Sequence, residues 1–187
     1  MARPRSDDKQ TAILAGATRV IASQGLGAST AAIAKESGVS NGSLFTYFDT
    51  KADLLNQLYI ELKTEMSSVI DGIPADHDLR EQALYMWTQW MNWAASFPEK
   101  RRALALLNVS DEVTPESRQT ARQVMSGVRE FMRRITENGP MREEPLGLRV
   151  ALLNGVAEAT IDYMMQDPAN ADKHRMVGFE AFWRMVV

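Results

Sequence analysis

The chain is expected to be all-α, with nine helices, on three observations. Strand-like alternation is scarce, and runs of β-branched residues are absent. Apolar residues recur at helical spacing along most of the 187 residues. Gly, Pro and Asp-Pro pairs punctuate the apolar runs where helices stop and start.

The first helix is expected from about Asp8 to Gln24, with Ile13, Leu14, Ala17, Val20 and Ile21 on one face and Gly25 as a positive-φ stop. The second opens at Ser29 or Thr30, either of which can cap it, buries Ile33 and Ala34, and ends at Gly38. Ser40 caps the third, which carries Leu44, Phe45 and Phe48 inward or sideways. Thr50 and Asp53 form a capping-box pattern at the fourth, which continues through Leu54, Leu58, Tyr59, Leu62 and Met66. A break follows at Asp71-Gly72-Ile73-Pro74. The fifth covers about Asp78 to Phe97 and the sixth Glu99 to Asn108. Thr114-Pro115-Glu116 begins a seventh that reaches Asn138-Gly139-Pro140. The eighth spans Leu146 to Gln166, and Asp167-Pro168 separates it from the ninth, Asn170 to Val187.

Composition narrows the function. Without cysteine the chain has no disulfide, thiolate nucleophile or Cys-ligated zinc. His77 and His174 lie far apart with no HExxH-like company, so a surface position suits each better than a catalytic or ligating one. No metal, cofactor or catalytic residue is expected, and the chain does not read as an enzyme. No apolar run reaches the ~18 residues of a membrane span. MARPRSDDK has no secretory character, which places the protein in the cytoplasm. The net charge of −3 hides a mild asymmetry: residues 1–51 hold six Lys/Arg against four acids, and residues 52–187 fifteen against twenty.

The segment from Ser29 to Lys51 has the layout of a helix-turn-helix DNA reader. Outward positions of its third helix are Ser40, Asn41, Gly42, Ser43, Thr46 and Tyr47, short or amphipathic groups with no acid to repel phosphate. Asn41 suits bidentate adenine contact, and Ser43 and Thr46 can meet base edges or a thymine methyl. Tyr47, Thr30 and Lys51 are placed to reach backbone phosphate. Arg3 and Arg5 belong either to a minor-groove arm or to an unordered start.

These residues resemble the TetR family of one-component transcriptional regulators. The pattern stands here as Ile13-Leu14, Gly25, Thr30, Ile33-Ala34, Gly38-Val39-Ser40, Gly42-Ser43-Leu44-Phe45, Tyr47-Phe48, Lys51 and Leu54, dense over residues 10–58. More weakly, the whole chain is similar to family members that repress multidrug-efflux regulation. The resemblance implies a DNA-binding domain at 1–50 and an effector-binding and dimerisation domain at 51–187. It implies major-groove roles for Asn41, Gly42, Ser43, Thr46 and Tyr47. Many members carry Tyr where this chain has Phe45.

It further implies a small-molecule pocket among the fourth to seventh helices and a dimer bundle from about 146 to 187. The pocket candidates are Tyr59, Lys63, Met66, Met86, Trp87, Trp90, Leu153 and Asn154. Aromatic faces and flexible Met side chains suit apolar or cationic ligands. Asn154 and Glu158 serve either as the pocket's polar anchor or as partners across the dimer seam. The seam candidates are Val156, Tyr163, Phe179, Phe182 and Trp183. A helix apolar on more than one side requires a second partner, which favours a homodimer over one intramolecular core. The expected function is a homodimeric repressor that grips a palindromic double-stranded operator and releases it when an effector binds. The alternatives are a constitutive DNA-binding regulator or an activator without effector, and more remotely a helical enzyme.

Overall fold

The computed structural model describes residues 4–68, 72–73 and 76–187, with side chains from Asp8 onward. Arg3, Asp71 and Pro74, all used above, lie outside the described residues, as does the side chain of Arg5. Among the described residues there are ten α-helices and one 3-10 turn, with no strand and no helix long and apolar enough to cross a membrane.

In chain order the helices are α1 (Pro4–Gln24), α2 (Thr30–Glu36), α3 (Asn41–Tyr47), α4 (Lys51–Ser68), α5 (Leu79–Ser96), α6 (Pro98–Asn108), α7 (Pro115–Val124), α8 (Ser126–Ile135), α9 (Leu146–Gln166) and α10 (Ala171–Val186). The single helix expected from 114 to 138 is therefore two, broken at Met125. α1 begins at Pro4, ahead of Asp8, because proline is well suited to a first turn whose N–H groups lack acceptors. Pro98 both stops α5 and starts α6.

The chain forms two compact units. The first comprises residues 1–65 and 97–124, the second 66–96 and 125–187. The boundary expected at residue 50 falls inside the first unit.

In the first unit α1 packs on α2 and α2 on α3, with Ile13, Ala17 and Ile21 of α1, Ile33 and Ala34 of α2 and Leu44 and Phe48 at α3 all buried. Gly16 permits the close approach of α1 to the end of α2, where any Cβ would collide with the Ser37 hydroxyl. Arg19 of α1 pairs with Glu36 of α2 at 2.6 Å. α6 packs on α1, and Asn56 of α4 fastens the stretch before α7. Its Nδ2 donates to the Glu112 carbonyl at 2.8 Å and its Oδ1 accepts from the Thr114 amide at 2.9 Å.

In the second unit, α5, α9 and α10 pack on one another around Trp87. The Trp87 ring lies 5.2 Å from Phe182 and 6.4 Å from Phe179, and its indole N–H donates to the Arg175 carbonyl at 3.0 Å. α10 approaches α9 closely at Gly178, where a Cβ would strike Thr160. Arg149 of α9 donates to the Thr136 hydroxyl at 2.5 Å, setting a cation at the carbonyl end of α8.

Candidate nucleic-acid interface

Caps and turns hold α2 and α3 in place. The Ser29 hydroxyl accepts from the Ala32 amide at 3.1 Å, and the Ser40 hydroxyl from the Ser43 amide at 3.0 Å, so each short helix starts on a satisfied N-cap. Gly25 and Gly38 adopt φ of +79° and +68°, conformations that side-chain-bearing residues avoid. Past Gly38 the Val39 amide returns to the Ala34 carbonyl at 2.9 Å, closing the turn.

Behind α3, α4 starts on the reciprocal cap read from the sequence. The Thr50 amide donates to Asp53 Oδ2 at 3.0 Å, and the Asp53 amide donates to the Thr50 hydroxyl at 3.0 Å. Lys51 follows at the first helical position. Its Nζ donates to the Leu26 carbonyl at 2.6 Å, bridging α4 to the loop between α1 and α2. The Lys51 ammonium thus already serves one acceptor, and two of its three donors remain for a phosphate.

Within α3, Leu44 and Phe48 face the core. Ser40, Asn41, Gly42, Phe45 and Thr46 are exposed, and Ser43, Tyr47, Thr30 and Lys51 half-buried. Of the predicted reading residues, Asn41, Gly42 and Thr46 are thus exposed on α3 beside its N-cap Ser40, Ser43 and Tyr47 are half-buried on the same helix, and Thr30 and Lys51 lie on α2 and α4. No charged residue occurs between Asn41 and Tyr47, so nothing on α3 repels phosphate. Phe45, counted as inward or sideways from its sequence, is 42% exposed and stands among the polar reading residues. Periodicity alone missed it, because Leu44 and Phe48 already fill the inward positions.

The ligand candidates fall in both units. In the first, Tyr59 is buried and Lys63 half-buried, with the Lys63 ammonium 5.7 Å from the Tyr59 ring centre. Burial pushes the Tyr59 phenol above its ordinary range, while Arg118 and Arg122 of α7 pull it down. Burial likewise lowers Lys63, and no carboxylate among the described residues pairs with it. In the second unit Met86, Trp87 and Leu153 are buried, Met66 and Trp90 half-buried, and Asn154 exposed.

Of the seam candidates, Phe179 and Phe182 are enclosed within this chain against Trp87. Val156 and Trp183 are half-buried and Tyr163 is exposed. A second set of residues is open instead. Leu148, Leu152, Gly155 and Tyr163 recur along one side of α9, and Met176 and Val177 are exposed on α10. Among the described residues no cluster of three His, Cys, Asp or Glu side chains could hold a metal ion.

Comparison with known proteins bears on the family and the fold. The family described as bacterial regulatory proteins, tetR family, matches residues 13–58, the span from mid-α1 into α4. A TetR family transcription regulator from Shewanella sp. PV-4 is 31% identical over 96% of this chain and 98% of its own, with a TM-score of 0.83. The chain belongs to the TetR family. It is a transcription regulator with a helix-turn-helix DNA-binding region. Two more distant TetR-type structures share the fold. FadR of Bacillus subtilis in complex with stearoyl-CoA is 19% identical over 94% of this chain and 97% of its own, with a TM-score of 0.69. LfrR of Mycobacterium smegmatis in complex with proflavine is 14% identical over 96% and 98%, with a TM-score of 0.71.

Proposed function

We propose that this TetR-type protein is a homodimeric, ligand-responsive repressor acting on chromosomal DNA in the cytoplasm. Two copies of α3 enter successive major grooves of a palindromic operator, about 34 Å or a multiple apart. The observation that carries the reading is the exposed, acid-free side of α3, held on capped turns. Thr30, Ser40, Asn41, Gly42, Ser43, Thr46, Tyr47 and Lys51 make its contacts. The exposed apolar stripe on α9, with Met176 and Val177 of α10, supplies surface for a second copy. The division of labour places DNA reading in residues 1–50 and effector binding and dimerisation in 51–187. Multidrug-efflux regulation is the proposed target, on the weaker resemblance of the whole chain to repressors of that kind.

Release follows when an effector prefers the DNA-free shape, since a ligand with equal affinity for both shapes shifts nothing. Stearoyl-CoA and proflavine, held by the two distant relatives, each present an apolar part, an acyl chain and a planar aromatic, but are opposite in charge. Lys63 favours the first type here: a half-buried ammonium without a carboxylate is better matched by an anionic or hydrogen-bond-accepting head than by a second cation. A second reading, a regulator without effector, is favoured by the complete enclosure of Trp87 and the burial of Met86 and Leu153.

The test is operator affinity. Duplexes selected by the wild-type protein should bind Asn41→Ala and Tyr47→Ala at least tenfold more weakly; undiminished binding by both overturns the α3 assignment. Compounds that quench tryptophan fluorescence and release the operator support the sensor, and release by none favours the second reading.

A further inference from the structure

We propose that Phe45 reads thymine C5-methyl groups in the major groove and is a specificity-determining residue of α3. The inference rests on α3 being the reading helix.

On a helix of 3.6 residues per turn, the exposed residues Asn41, Phe45, Gly42 and Thr46 lie in that angular order within an arc of about 140°. Phe45 is inside that arc, 42% exposed, between the side chain suited to adenine and the glycine that leaves the helix surface bare. Its exposure is no overflow from the core, because Leu44 and Phe48 occupy the inward side. A single exposed aromatic is ordinary on a protein surface. This one interrupts an otherwise polar reading face, on a seven-residue helix without a charge.

A phenyl ring has no donor or acceptor, so Phe45 can neither bond a phosphate nor satisfy a base nitrogen or oxygen. The apolar group that base edges present in the major groove is the thymine methyl. Gly42 strengthens the geometry: a Cβ built there meets nothing within 4 Å, so α3 has a low side beside Phe45 where DNA can come close. Asn41 and Thr46 would distinguish bases by hydrogen bonds, and Phe45 would add preference for thymine over cytosine at the neighbouring step.

Deoxyuridine tests this directly, since it deletes the methyl and keeps every hydrogen-bonding group of thymine. An operator is first selected from random duplexes with the full chain, and each thymine is then replaced in turn. Loss of one contacted methyl should weaken wild-type binding about fourfold, and loss of the symmetric pair about fifteenfold. In Phe45→Ala and Phe45→Gln the same replacements should change affinity less than about twofold. Phe45→Gln keeps the length of a helix-compatible side chain, guarding against a fold defect in the alanine variant. The proposal is overturned if no thymine is sensitive in the wild type, or if sensitivity persists in both variants. Failure to enrich any duplex, or undiminished binding by both Asn41→Ala and Tyr47→Ala, would instead overturn α3 as the reading helix and this inference with it. An operator that depends on Asn41 or Tyr47 yet tolerates uracil throughout sinks Phe45 alone.

Discussion

The Lys51 ammonium holds the Leu26 carbonyl at 2.6 Å, tying the first turn of α4 to the loop that separates α1 from α2. A residue expected to touch DNA is therefore also a strut of the DNA-binding head. Lys51→Met should lower unfolding stability by about 1–2 kcal/mol, the scale of a charge-assisted bond at a half-buried site. It should also weaken operator binding and reduce the salt slope by about one unit. Urea unfolding and salt-dependent binding report the two losses separately. An unchanged unfolding midpoint would leave the strut without weight.

Gly42 should behave in the opposite sense. Nothing lies within 4 Å of a Cβ built there, and its backbone is helical. Gly42→Ala should stabilise α3 by about 0.5–1 kcal/mol, since alanine loses less backbone freedom. Its methyl would still point at the groove, so operator affinity should fall about tenfold or more. A variant that melts higher and binds worse is the expected signature.

Lys63 supplies a prediction with a pH dependence. Burial lowers its folded pKa below the ordinary lysine value. The folded state thus holds this proton less firmly than the unfolded chain, and the resulting cost is fully present below the lowered folded value. It disappears as pH rises through that value towards the ordinary one. Lys63→Met should therefore melt higher at neutral pH, by on the order of 2–4 °C, with the gap narrowing in alkaline buffer. The same variant should lose affinity for anionic amphiphiles, as read by tryptophan fluorescence.

In the second unit, Gly178→Ala would drive a methyl into the Thr160 side chain. Forced repacking of this kind costs about 1–3 kcal/mol. Thr160→Ala in the same chain should recover part of the loss, because it removes the two nearest atoms and leaves only the Cβ of residue 160, at 2.9 Å, to give way. Thermal unfolding of the two single variants and the double variant measures that coupling.

How far the sequence revealed these features depends on range. Ser29, Ser40, the Thr50–Asp53 pair, Gly25 and Gly38 act within one turn of themselves, and each sits where its residue type demands. The all-helical class follows from the same local grammar. The break at Met125 carried only a weak local mark, the Ser126-Gly127 pair that follows it, against a helical pattern that runs on through both segments. Facing was the second limit. A helical apolar stripe says that a side chain is covered, not what covers it, so Phe179 and Phe182 fitted a seam as well as the Trp87 cluster that encloses them. Phe45 is the converse, an apolar residue whose inward neighbours had already filled the space. Lys51 was placed at the start of α4 from its sequence, but its partner 25 positions earlier lay beyond any local pattern.

The division into two units has a consequence for biosynthesis. Each unit is assembled from two separate stretches, with the chain passing from one to the other at residues 65/66, 96/97 and 124/125. A ribosome that has released only the first fifty residues has delivered the helix-turn-helix without α6, the helix that packs on α1. The reading head can be completed only after residue 124 emerges, and the second unit waits for the C-terminal stretch. A nascent or truncated chain therefore carries the sequence of a DNA reader before it carries the finished support for one.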